Sequence, residues 1–175
     1  MDYVEVTLDK DTDPDIMQLV LDMELRPLDL LECALVGATD DSTDIILHGI
    51  LASGMVYCKA GFNLTTGLPE FIFGVSATDS PDIGTPWLLG TTDFVITKEW
   101  LKMCKYKIFP QMDGTFPILK NYVHKDNVES IRWLKWLGFT FYDIPVIFTD
   151  EQTEPVPMYL FVKLGGTPLC VAQQH

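Results

Sequence analysis

The sequence predicts a mixed α/β domain built on one central sheet of about six or seven strands, flanked by about four or five helices. Two observations predict it. β-prone runs and amphipathic runs interleave in the order strand, two or three helices, three strands, helix, strand, helix, two strands, with no repeat or linker between them. A chain of 175 residues, 47% hydrophobic and 21% charged, is also long and apolar enough for one sizeable core. Residues 1–165 are assigned to this domain, and the aperiodic 166–175 to an irregular tail.

"YVEVTL" at 3–8 alternates and is rich in valine and threonine, as a strand requires. "TDPDIMQLVLDM" follows, with Asp13 as N-cap, Pro14 at the first helical position and apolar residues at helical spacing, so acids face outward. "RPLDLLECALVG" repeats the design between Pro27 and a terminating Gly37, and "DSTDIILHGILASG" repeats it between a Ser42 or Thr43 cap and Gly54. "MVYCKAGF" and "EFIFGVSA" are strands joined by the turn-forming "NLTTGLP", and "TPWLLG" has the length and composition of a buried strand. A helix capped by Thr97, with Ile96 and Leu101 as hydrophobic staple, covers "KEWLKMCKYKIF" and stops before Pro110. The strand "FPILKNYV" leads to the helix "DNVESIRWLKWL", which a capping box starts at Asp126 or Asn127 and Gly138 ends. "FTFYDIPVIF" and "PVPMYLFVKL" close the sheet across the polar turn "TDEQTE".

Composition excludes several classes. The formal net charge of −13 argues against phosphate-backbone binding, so no direct nucleic-acid contact is expected. No apolar run is long enough for a membrane span, and the acidic start lacks the basic character of a secretory signal, so a soluble protein made in the cytoplasm is expected. Cys33, Cys58, Cys104 and Cys170 are far apart and form no C-x-x-C pair, which predicts free thiols and no metal site. Acids crowd the N-terminal quarter, as a solvated face or as a docking surface for a basic partner. No nucleophile elbow, Walker loop or HExxH occurs.

The run "VHKDNVESIRWLKWLGF" resembles, register for register, the late strand-helix motif of the GNAT superfamily of acyl-CoA N-acyltransferases, at Val123, Asn127, Ser130, Leu137, Gly138 and Phe139. The element order matches that family over most of the chain. More narrowly, "FGVS", "PWLLGT" and "NYVHKDNVESIRWLKWLGF" together resemble GNAT-like proteins of short-tailed bacteriophages, among them acetyltransferase-like proteins of virion morphogenesis. The resemblance implies an acyl-CoA cleft between strands 84–90 and 116–124. Leu88, Leu89, Gly90, Thr91, Thr92, Asn127 and Ser130 would hold the cofactor, acetyl-CoA, with the pyrophosphate on backbone N–H groups. His124 is the candidate base for an amine and Tyr122, or alternatively Tyr142, a candidate proton donor.

The chain also departs from the family. The glycine-rich phosphate loop is reduced to Gly90, Asp93 places a carboxylate where a pyrophosphate would lie, and Leu134 stands where many members carry a tyrosine acid. The expectation is a phage-encoded protein with an eroded acyl-CoA site, acting mainly by interaction in virion assembly or in the particle. Its partners would be phage or host proteins, met through the acidic N-terminal helices and the tail, in an oligomer or large assembly, in the host cytoplasm or the virion. The alternative is an active acetyl-CoA-dependent N-acetyltransferase of a host or phage amine. An acidic inhibitor of a host nucleic-acid-binding protein is a third reading.

Overall fold

The computed structural model describes residues 3–35, 41–54, 57–143 and 157–165. Gly37, the stretches "DIPVIF" and "TDEQTE" save for Asp143, and the tail 166–175 lie outside the described residues. Seven strands form one sheet in the order β1-β2-β3-β4-β5-β7-β6: β1 Tyr3–Thr7, β2 Cys58–Asn63, β3 Pro69–Ala77, β4 Ile83–Gly90, β5 Ile118–His124, β6 Thr140–Tyr142 and β7 Met158–Leu164. Every neighbouring pair is antiparallel except β4 and β5. Helices α1 Pro14–Leu21, α2 Pro27–Leu35 and α3 Ser42–Ala52 come before β2, α4 Lys98–Met103 and α5 Phe109–Thr115 before β5, and α6 Val128–Trp136 before β6.

Period-two alternation divides the core between the two faces of the sheet. Ile72, Ala60 and Leu89 pack with Val20, Ile46 and Ile50 of α1 and α3. Phe71, Phe73 and Val75 pack instead with Trp100, Cys104, Ile108 and Leu134 of the later helices. β3 is buried from Pro69 through Val75, as a central strand covered on both faces must be.

Two helix boundaries differ from the sequence reading. α3 is capped by Asp41, whose carboxylate accepts from the Asp44 N–H at 3.0 Å. Ser42 and Thr43 are engaged elsewhere: the Ser42 hydroxyl accepts from the Leu25 N–H at 3.2 Å, and Thr43 donates to the Leu21 carbonyl at 3.1 Å. The helix expected to stop before Pro110 instead runs on. A π-helical turn over Cys104–Ile108, in which the Phe109 N–H reaches back to the Cys104 carbonyl, places Pro110 in the first turn of α5. There its missing N–H costs no helical bond.

The other caps lie as the residues require. Asp13, Thr97 and Asn127 accept from the N–H groups of Asp15, Trp100 and Ser130. Leu137-Gly138-Phe139 is a Schellman ending: Gly138 takes φ +96°, its N–H reaches the Lys135 carbonyl, and the Phe139 N–H reaches that of Leu134. That reversal feeds Phe139 directly into the core.

Packing at Gly74 gives a prediction. A Cβ there would lie 2.7 Å from both the Tyr57 carbonyl oxygen and the Trp87 ring, whereas one at Gly114 in α5 meets nothing within 4 Å. Gly74→Ala is expected to cost about 1–3 kcal/mol in urea unfolding. Gly114→Ala is expected to add about 0.5–1 kcal/mol by its helix preference.

Candidate functional site

β4 and β5 pair only at Ile83↔Ile118 and Gly84↔Leu119, and then separate. Pro86 has no N–H to extend the ladder, and its carbonyl is taken instead by the Asn121 side-chain amide at 2.9 Å. Beyond that bridge a cavity of about 150 Å³ opens between the strands. Its lining comes from both faces of the sheet: Asp29, Glu32 and Trp87 from one, Leu88, Trp100 and Leu134 from the other.

Helix α2 crosses the mouth. At the end of β4, the Gly90 N–H donates to Asp29 Oδ2 at 2.8 Å, and the Gly90 carbonyl accepts from the Arg26 N–H at 2.9 Å. Arg26 holds the same carboxylate in a two-pronged pair, Nε to Oδ2 at 3.1 Å and Nη2 to Oδ1 at 2.9 Å. At the end of β5, Glu32 Oε1 accepts from the His124 N–H at 3.1 Å and from Asn127 Nδ2 at 2.9 Å. The acids of one helical face thus tie both separated strands, at spacing i, i+3.

Burial pushes the Asp29 carboxyl above its ordinary value, against the opposing pull of Arg26 and the Gly90 N–H. Burial likewise raises Glu32, against its bonds from Asn127 and His124. The Cys33 thiol beside them is pushed up to about 11 by burial and then by these two acids, so it stays protonated and is not an activated nucleophile.

The residues predicted from sequence do not all meet at the cavity. Leu88, Leu89, Tyr122 and Ser130 line the cavity. Asn127 caps α6 and links it to Glu32. His124 does not line the cavity among the described residues, and its Nδ1 accepts from the Asp126 N–H at 3.1 Å. Leu134 is buried in the cavity wall.

The loop after β4 is folded onto itself. Gly90 donates to Asp29, Thr91 donates to the Glu70 carbonyl at 2.9 Å, and Phe94 donates to the Thr91 carbonyl at 3.2 Å. Phe94 is buried against Phe71 and Trp100, with its ring 2.9 Å from where a Gly90 Cβ would be. Thr92 and Asp93 are exposed. No cluster of three or more His, Cys, Asp or Glu side chains suited to a metal occurs among the described residues.

Asp29 and Glu32 are the residues that the sequence reading placed on an outward acidic face. Asp29 is 4% exposed. The signal available was their shared helical face with Cys33 after the Pro27 start.

The folded and unfolded chains hold these protons differently. Asp29 and Glu32 keep their protons to higher pH when folded, so the folded chain binds more protons above their ordinary values of 3.8 and 4.5. Their contribution to stability is complete below those values and is lost as pH rises through the raised ones. Glu32→Gln, which keeps the Oε1 acceptor, is expected to exceed wild type at pH 7 by on the order of 1 kcal/mol and to converge with it near pH 4. Urea midpoints across that range check it, and a variant weaker than wild type at pH 7 contradicts it.

No family model matches the sequence, and no curated protein matches it. Solved structures do match its fold. A GNAT-family acetyltransferase from Bacillus anthracis superposes with TM-score 0.63 at 8% identity, covering 95% of this chain and 97% of that one. A GNAT-family acetyltransferase from Streptococcus pneumoniae gives 0.57 at 12%, covering 93% and 99%. The diaminobutyrate acetyltransferase of Paenibacillus lautus, solved with L-2,4-diaminobutyric acid and coenzyme A, gives 0.59 at 11%, covering 93% and 95%. The chain has the GNAT fold.

Proposed function

We propose that this GNAT-fold chain is a phage-encoded protein that works mainly through interaction, in virion assembly or in the particle, with its acyl-CoA cleft held by its own residues. The observation that carries the reading is the Asp29 carboxylate on the Gly90 N–H. An acyl donor in such a cleft uses free backbone N–H groups at the end of β4 and in the following loop. Here Gly90, Thr91 and Phe94 have committed theirs internally. The exposed Asp93 opposes a pyrophosphate, and Leu134 has no proton to give a departing thiolate. The phage source rests on the sequence resemblance alone, and with it the host cytoplasm and virion as locations and phage or host proteins as partners.

A second reading, an acetyl-CoA-dependent N-acetyltransferase acting on an amine of a host or phage protein, is favoured by the cavity that persists between β4 and β5. In that case Glu32 is better placed than His124 to accept the amine proton. It lines the cavity, and its two hydrogen bonds both fall on Oε1.

Calorimetric titration with CoA and acetyl-CoA separates the two. The first reading expects no binding at millimolar ligand. Micromolar binding, abolished by Gly90→Glu, overturns it in favour of the second. Mass spectrometry of purified phage particles and assembly intermediates is expected to find the chain, and its absence from both removes the virion role.

A further inference from the structure

The cavity is lined by two hydrogen-bond donors that have no acceptor among the described residues. Trp100 is 2% exposed, yet its indole N–H has no acceptor among the described residues. The Trp133 indole N–H is in the same condition. Both rings line the cavity, meeting edge to face with centroids 6.3 Å apart. Trp87 lines it too, and is fully served: its N–H reaches the Ser53 and Ser76 hydroxyls at 3.2 and 3.1 Å. Buried indole N–H groups ordinarily find partners, so two orphans in one cavity mark a place where an acceptor belongs.

The remaining walls define what carries that acceptor. Phe73, Ile108, Phe109, Met112 and Phe161 make the cavity apolar beside the two indoles. A bridging water needs two to four polar partners, and these five side chains supply none; the polar lining lies at Asp29, Glu32, Asn121, Tyr122 and Ser130. A volume of about 150 Å³ equals that of apolar protein cavities that take up benzene, so it suits a body of about six carbon atoms. The opposite wall holds Asp29 and Glu32 and repels anions.

We propose that the cavity binds a neutral small molecule with a carbonyl acceptor on an apolar body of about six carbons, its oxygen taking the indole N–H of Trp100 or Trp133. The chemical class is a secondary amide or a similar uncharged carbonyl compound. Recognition uses no phosphate contact, so it stands whether or not the cleft takes CoA.

The test uses the full chain labelled with 15N, whose four tryptophans give four indole signals. Titration with N-methylhexanamide is expected to shift the Trp100 or Trp133 signal saturably, assigned by Trp100→Phe and Trp133→Phe, and to leave Trp136 still. N-methylacetamide, which lacks the apolar tail, is expected to bind at least about tenfold more weakly. Hexanoate is expected to move no signal. If either variant fails to fold, the wild-type titration still decides through saturation and the hexanoate comparison. Absence of a saturable shift, or hexanoate binding as tightly as the amide, overturns the inference. A chain that binds acetyl-CoA but not the amide loses this inference while supporting the second functional reading.

Discussion

Two antiparallel half-sheets meet in this fold through one parallel contact of two residue pairs, and nearly everything around the site depends on that short junction. Once β4 and β5 part, the backbone groups at Gly90 and His124 lose the strand partner that a continuous sheet would provide. Buried amides left without acceptors are costly, so the gap demands acceptors from elsewhere. α2 supplies them as carboxylates, and Arg26 closes the Gly90 carbonyl as well. The helix is a clasp between the half-sheets because the separation of the strands requires one.

Carboxylates are an expensive choice for that task. Desolvation dominates both acids, and the opposing bonds do not cancel it. What acids add over neutral acceptors is stronger bonding to N–H groups and a fixed geometry. Asp29 answers to Arg26 and Gly90 together, and Glu32 to His124 and Asn127. The same choice decides what else approaches the cleft. The Gly90 amide is occupied by the Asp29 carboxylate, which also repels a competing anion, and the Thr91 and Phe94 amides by the backbone carbonyls of Glu70 and Thr91.

The layout of the fold was legible because it rests on local signals. The order of strands and helices follows from periodicity, and Thr97, Asn127 and Gly138 announce their helix ends by residue type. Pro110 misled, because a π-helical turn moved the proline into a helix start, and such a turn leaves no residue pattern of its own. Ser42 misled for a different reason: its hydroxyl serves Leu25, a contact across 17 residues that no window along the chain contains. Asp29 and Glu32 were the hardest to find. An acid on an amphipathic helix reads as solvated, and only the separation of β4 from β5, a tertiary feature, turns that face inward. The Asn127 position was legible as part of a motif, while its bond to Glu32 was not.

The two sides of the gap end in opposite chemical states, and Leu134 makes them so. On the α2 side, acids meet the Gly90 and His124 amides at the strand ends. On the α4 and α6 side, two indole N–H groups face walls of Phe, Ile and Met. A tyrosine in place of Leu134 would bring a hydroxyl into this cavity, able to protonate a thiolate and also to accept from an indole. Leucine does neither, so the two indole N–H groups keep no acceptor among the described residues. Two such donors beside apolar walls suit the uncharged acceptor on an apolar body proposed for this cavity.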